Sequence, residues 1–553
     1  MSGAGVEIAV EDPLRMAWYE CNDYGNARRA QDLAKGLLKW VDDKYWSAFD
    51  TKRWSKREGA YRARALAHQV AKHIHLEAAE LGKLIGDLKK PDEAALHERF
   101  GEWCSGEMAV ARLDMLHKWA MKSGNAAQTN AMLTQLRDFD AMRAWSEDFD
   151  VDPLTYNVQN GTLRFRKQDG TGQWTCLFQE GHDPTDMLAQ IANWTYDPVA
   201  ACPMWEERLR LIQPDDETRA VFPRMYGQTL TGLTDSEEFY VHKGRGGDGK
   251  SKTNEVLAEG HGDYYRHAAV KTWLQASFQR SGAEHRRDLV DLSGDVRFIV
   301  SEEPPRNATW DGELLKQWTG GGKITAFQAG ASEPVIFKPR GKLFVEVNPT
   351  PNMPGDDKGF RRRFRLTQWL VDLSLIPGGF EAPAELHARL MTESSGILNW
   401  MIAGCLEWLG DRRVPVPERE LEGLADFWAT GNPMGEWLAE ECDLTDRDAE
   451  TGSTVLWNAF KEWMARSELD EDAVKKWNTT RFGRELGQRQ IVGKKDRKGN
   501  KVRRGIKLRR VGSLDYATVQ GMEGGVNGGA TATPDAHSGS DAADLDDYWG
   551  GDR

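Results

Sequence analysis

The stretch Gly244-Arg-Gly-Gly-Asp-Gly249-Lys250-Ser251 constrains this chain more than any other eight residues. It fits the pattern G-x-x-x-x-G-K-[ST]. An apolar run, Phe239-Tyr-Val241, precedes it, and the helical pattern SKTNEVLAEG follows. A strand that runs into a glycine loop and then a helix is a cradle for anions. Glycines let backbone N–H groups curl around a phosphate with no Cβ in the way. The helix that starts near Lys250 adds the positive end of its dipole. Gly244, Gly246, Gly247, Gly249, Lys250 and Ser251 are therefore the expected nucleotide-binding set. Lys250 reaches the β and γ phosphates and Ser251 holds Mg²⁺, so ATP and Mg²⁺ are the expected cofactors.

Such a loop needs acids at the end of a neighbouring strand. Val296-Arg-Phe-Ile-Val300-Ser-Glu302-Glu303 supplies two about fifty residues on. One can serve the magnesium shell and the other can orient the attacking water. A third apolar strand, Lys342 to Val347, ends in Asn348, a polar side chain placed to position that water. Arg361-Arg362-Arg363 follows. An arginine can neutralise charge on a transferring phosphoryl group, often from a neighbouring subunit.

The rest of the composition narrows the setting. At 553 residues the chain exceeds one core and implies several domains. No apolar run is long enough to span a membrane, and MSGAGVEIAVEDP does not read as a signal peptide. Six scattered cysteines with no C-x-x-C pair fit a reducing cytosol and argue against a zinc ribbon. Cytoplasmic localisation is expected. The 22 tryptophans read as core packing rather than base stacking, and His68, His73 and His75 as part of a helix rather than a metal site.

Residues 1–146 read as a helix-rich region, including RAQDLAKGLLKWVDDKYW. Residues 147–204 alternate like a small β element, with turn signals at Asn160-Gly161 and Asp169-Gly170. Residues 205–375 carry strands, helices and the glycine loop of an α/β core. A helical lid or linker occupies 376–429, a smaller basic unit 430–510, and an acidic tail with a disordered composition 511–553. Asp138, Asp140, Asp148 and Asp150 read as solvated acids, so no primer synthesis by this chain alone is expected.

The order of these blocks resembles the phage and plasmid primase–helicase family, related to the poxvirus nucleoside triphosphatase-primase. The carriers are DYGNARRAQ, KRW at 52–54, QNGTLRF, YDPVAACPMWEERL, GRGGDGKS, VRFIVSEEPP, LLKQWTGGGKITA, FKPRGKLFVEVNPTP and GFRRRF. The resemblance implies a superfamily 3, AAA+ P-loop α/β core behind a helical and small-β N-terminal region, with a C-terminal winged-helix-like domain. It implies Glu302 as the Walker B acid with Glu303 beside it, Asn348 as the sensor, and Arg362 or Arg363 as a finger acting across a ring interface. It further implies a homo-hexamer threading single-stranded and forked DNA 3′ to 5′, with a primase or polymerase as partner. One departure stands out. After Lys-Ile-Thr-Ala the family carries basic residues in a DNA-touching hairpin, and here Phe327-Gln328 stand instead. Lys323 and Lys338 are the candidates to replace them.

Lys494–Arg510 holds ten basic residues and one acid. The Gly499-Asn500 turn reads as the tip of a wing, after TTRFGRELGQ as recognition helix. Lys498, Lys501, Arg503 and Arg504 are the expected phosphate contacts. The leading expectation is an ATP-dependent DNA helicase. The alternative is a DNA-binding ATPase that loads a helicase or switches an origin without unwinding.

Overall fold

The computed structural model describes residues 12–275, 286–305, 308–327, 333–348, 357–376, 381–430, 433–467, 474, 477–495 and 498–509. The acidic tail lies outside the described residues. The chain divides into two compact units, one of 1–436 with 461–478 and one of 437–460 with 479–553.

After a single 3-10 turn, Pro13–Met16, the first unit's first α-helix is Asp23–Ala34, whose first turn is capped by the Asn22 side chain accepting from Gly25 N at 2.8 Å. The sequence expectation carries this helix on to Trp46, and the structure corrects it. Lys35 and Gly36 both take positive φ and end the helix. Leu38–Val41 and Tyr45–Phe49 then pair as an antiparallel hairpin. Asp42 and Asp43 turn it at positive φ, which aspartate tolerates. Leu38 and Trp40 point inward with period two, a spacing that helical counting absorbs by accident. Trp54–Ser55 and Arg143–Ala144 complete a four-stranded sheet.

Behind that sheet runs a 30-residue helix, Lys56–Ile85. Its inner face buries Ala63, Leu66, Val70, Ile74, Leu81 and Ile85. One ion pair is sealed in beside them. Arg29 donates from Nε and Nη2 to the two carboxylate oxygens of Glu77, each at 2.8 Å, and both side chains are fully buried. A bidentate pair fixes one orientation of the two helices, since truncating either partner would strand a buried charge.

The β element follows as a three-stranded antiparallel sheet of Thr155–Val158, Gly161–Lys167 and Trp174–Glu180. The turn residues are Gln159 and Asn160, and Gly161 already belongs to the strand. Its missing side chain matters there, because a Cβ would stand 2.1 Å from the Gln179 carbonyl oxygen. Asp150 also departs from expectation. Asp138, Asp140 and Asp148 are exposed, but Asp150 is 5% exposed and accepts from Ala189 N at 2.9 Å. Burial and the nearby Asp295 charge push its carboxyl up to about 7. Arg340 donates to the Asp150 carbonyl at 2.5 Å and to Asp295 at 3.0 Å. Arg297, fully buried, spans Asp295 and the carbonyls of Thr155 and Leu230. These cations tie the β element to the central sheet.

That central sheet has five parallel strands. In chain order they are Phe239–Gly244, Tyr265–Ala268, Phe298–Ser301, Lys342–Val347 and Phe364–Trp369. In space the order is second, third, fourth, first, fifth. The strand before the glycine loop is thus interior, flanked by the fourth and fifth strands, and the fourth strand separates it from the third. A parallel sheet covered by helices is buried on both faces, and near-continuous apolar runs such as Phe298–Val300 follow. Trp194, Trp205, Trp273, Trp310, Trp318, Trp369 and Trp408 are all fully buried, so these tryptophans serve the core. Pro383–Met391, Ser394–Asp411 and Glu418–Thr430 form the helices that follow the sheet. No helix among the described residues is long and apolar enough to cross a membrane.

In the second unit, Glu450–Gly452, Lys501–Arg504 and Gly493–Lys495 form a three-stranded antiparallel sheet. The helix Thr479–Gln488 precedes its hairpin. Trp437, Phe460 and Phe482 pack with ring centroids 5.3–5.7 Å apart. Gly499 takes a positive φ of 87° in the hairpin turn.

Candidate functional site

In an open α/β sheet, ligands sit outside the carboxyl ends of the strands where the strand order switches. The first strand ends at Gly244, and the helix Lys250–His261 begins six residues later. Gly246, Gly247 and Gly249 all take positive φ. Above Gly246 and Gly247 the space is open, so the loop's backbone can approach a ligand there.

The loop's donors already converge on an anion. The Asp248 carboxylate is buried within the loop. It accepts from Gly246 N at 3.3 Å, from Lys250 N at 3.2 Å and from Lys250 Nζ at 3.0 Å. Two backbone N–H groups and an ammonium around one carboxylate are the donor set a phosphate would need. His242, on the strand behind, adds no charge. Burial first, and then the Lys250 charge, hold its imidazole down to about 3.

Strand order brings the other candidates to the loop. Lys250 Nζ donates to Asn348 Oδ1 at 2.8 Å, and Asn348 Nδ2 donates to Glu303 Oε2 at 2.7 Å. This works because the fourth strand, which delivers Asn348, lies between the first and the third. Glu302 turns away and stands 3.4 Å from His267 Nε2. Lys250, Ser251, Glu302, Glu303 and Asn348 line one cleft of ≈ 560 Å³, with Leu373, Pro383 and Leu386 as an apolar wall.

One residue in this cleft escaped the sequence reading. Glu346 lies within the fourth strand, one residue short of its end. It accepts from the Ser251 hydroxyl and from Asn254 Nδ2, the latter at 2.8 Å. An acid inside the apolar run Leu-Phe-Val-Glu-Val was the available signal. Glu346, not Glu302, is the carboxylate bonded to the hydroxyl of the G-K-S motif.

The arginines lie elsewhere. Arg362 and Arg363 precede the fifth strand and so stand at the amino ends of the parallel strands, with Phe364 opposite Phe239. Both contact Glu237, at 2.6 and 2.9 Å. Arg363 is largely buried and also donates to the Gly359 carbonyl at 2.9 Å. A six-residue strand separates them from the loop, about 20 Å.

The segment around Phe327 is a hairpin, Ile324–Ala326 paired with Val335–Phe337. Lys323 and Lys338 flank its base and are both exposed. Phe327 is half-buried, and Gln328 lies outside the described residues. In the second unit, the expected row of phosphate contacts is altered by acids from upstream. Arg504 pairs with Asp448 and Lys494 with Glu450. Arg503 turns inward, its Nη1 3.3 Å from the Ile491 carbonyl. Lys498 and Lys501 stay exposed at the turn. The three histidines divide between faces. His73 is buried against Glu77 and its imidazole is held down to about 4 by burial, whereas His68 and His75 face outward.

Comparisons with known proteins place these features in a context. A family model described as "D5 N terminal like" matches residues 28–214. A protein of Acanthamoeba polyphaga mimivirus named "Putative helicase" is 25% identical over 329 residues, 59% of this chain and 32% of that protein. A protein of Frog virus 3 (isolate Goorha), also named "Putative helicase", is 24% identical over 266 residues, 46% of this chain and 27% of that protein. The chain thus spans about a third or less of the length of these relatives. Among solved structures, the apo C terminal region of NrS-1 is similar with a TM-score of 0.34 and 11% identity. That match covers 62% of this chain and 82% of the other.

Proposed function

We propose that this chain is a member of the primase–helicase family and an ATP-driven DNA helicase with an AAA+ core of the superfamily 3 kind, a reading the comparisons support. The observation that carries the reading is the chain of contacts from Lys250 Nζ through Asn348 to Glu303, set at the carboxyl ends of adjacent strands. It puts a cation, a polar relay and a base in one cleft beside an anion cradle. In this reading ATP's phosphates displace the Asp248 carboxylate from the loop's N–H groups, and Lys250 turns to the β and γ oxygens. Glu303 takes the proton of the attacking water, and Asn348 holds Glu303 and Lys250 in register. Ser251, with Glu302 and Glu346 alongside, would hold Mg²⁺, which when bound would supply positive charge beside the phosphates. The apolar wall of Leu373, Pro383 and Leu386 suits a nucleobase.

The position of the arginines supports a ring. An arginine about 20 Å from its own loop can serve a phosphoryl group only in another copy of the chain. We read the assembly as a homo-hexamer around single-stranded DNA, moving 3′ to 5′, with a primase or polymerase as partner. Lys323 and Lys338 at the hairpin base would touch the DNA, as would a winged-helix-like second unit through Lys498 and Lys501. The test is ATP turnover with and without single-stranded DNA. Stimulation of tenfold or more, on the order of 1.4 kcal/mol in the barrier, is the expected result. Turnover indifferent to DNA would point to a loader or origin switch instead.

A further inference from the structure

The Lys56–Ile85 helix presents a face that neither the core nor the ATPase reading uses. Arg57, Tyr61, Arg64, His68, Lys72 and His75 are all exposed. On a 3.6-residue helix they fall within an arc of about 80° and extend over about 27 Å. Between Glu58 and Glu80 the only acid is Glu77, buried against Arg29. Among the described residues, Arg57, Arg64 and Lys72 form no ion pair. On the same helix Arg62 pairs with Glu58 and Lys83 with Glu80, whereas the three cations of this face lie in line without such a partner, in a chain of net charge −13. Tyr61, 67% exposed, sits one turn from both Arg57 and Arg64. A large ring held in water between two guanidinium groups is a platform for a base whose backbone the cations neutralise.

We propose that this face is a nucleic-acid track in its own right, which seats a single DNA strand outside the ATPase core. At 3.4 Å per nucleotide the stripe matches about eight nucleotides. Arg57, Arg64 and Lys72 take phosphates, and Tyr61 stacks on a base. The proposal shares only its DNA partner with the ATPase reading and needs no nucleotide.

The test uses the full chain without ATP, with a fluorescent oligo-dT and a blunt duplex as probes, across a salt series. For the variant Arg57→Ala/Arg64→Ala/Lys72→Ala, the log–log salt slope for the single strand is expected to flatten by about 2, three contacts at about 0.7 each. The Arg57→Lys/Arg64→Lys variant keeps the slope, which separates charge from folding. Tyr61→Ala weakens oligo-dT binding by about fivefold or more and leaves the duplex unaffected. A halogenated oligo-dT crosslinks to the peptide containing Tyr61. An unchanged slope in the triple variant, or crosslinks confined to other segments, would overturn the proposal. So would a Tyr61→Ala protein that binds the single strand as well as wild type does. ATP turnover without DNA is measured in parallel on the Arg57→Ala/Arg64→Ala/Lys72→Ala variant and is expected to match wild type. The stripe can therefore fail with the ATPase reading intact, and the ATPase reading can fail with the stripe intact.

Discussion

Lys250→Ala is expected to reduce ATP turnover by at least about 10²–10³-fold, the effect of removing a preorganised charge donor from a transferring group. The side chain is nearly fully buried and has two partners, Asp248 and Asn348. Its loss removes the cation of the cradle and frees Asn348 from one side of its relay. A second effect must be separated from the first. Asp248 would be left buried without its ammonium partner, a change that costs on the order of 3–5 kcal/mol when a buried pair is broken. Lys250→Ala/Asp248→Asn removes both charges together. This double variant should recover much of the thermal stability and none of the turnover. Recovery of both would mean that Lys250 acts only through folding.

Replacing Arg362 and Arg363 together with alanine should lower turnover by about 10³–10⁵-fold while nucleotide binding persists, as for an arginine supplied in trans. The geometry underlies the expectation. The pair stands at the amino ends of the strands and the glycine loop at the carboxyl ends. The double variant therefore leaves its own cleft intact. Mixed with Lys250→Ala protein, it should regain part of its activity. In a mixed ring a Lys250→Ala copy lends its arginines to a neighbour whose loop is intact. Mixtures as inactive as the two separate proteins would remove the shared interface from the account. Arg362→Ala alone is the milder probe, since Arg362 is the more exposed of the two and Arg363 remains on Glu237.

Three of the five core strands were legible because each is a short apolar run that stops at a glycine loop or a polar residue, whereas Tyr265–Ala268 and Phe364–Trp369 carry interspersed polar residues and were not. Phe298–Ser301 halts at Glu302, and Lys342–Val347 at Asn348. The order of those strands was not legible, and it is the order that sets Asn348 between Lys250 and Glu303. Local pattern carries no information on which strand lies beside which. Glu346 was missed for the same reason, as its partner Ser251 is 95 residues away. Asp148 and Asp150 share one local context and separate only in space. Arg340, 190 residues on, bonds the Asp150 carbonyl and helps to bury it. In the basic hairpin, the turn at Gly499 was visible in the sequence. The acids that neutralise Arg504 and Lys494 come from an upstream strand and its approach, Asp448 and Glu450. At residues 38–49 the apolar spacing fits both periods, and the positive φ of Asp42 and Asp43 decides for the hairpin.

The central claim is that nucleotide hydrolysis in the Lys250 cleft drives strands apart. Displacement of a labelled strand from a forked duplex, followed with ATP in wild-type and Lys250→Ala protein, tests it most directly. The account predicts ATP-dependent release by the wild type, faster on a fork with a 3′ single-stranded arm, and no release by Lys250→Ala. Wild-type protein that hydrolyses ATP and binds the fork yet releases no strand would contradict it.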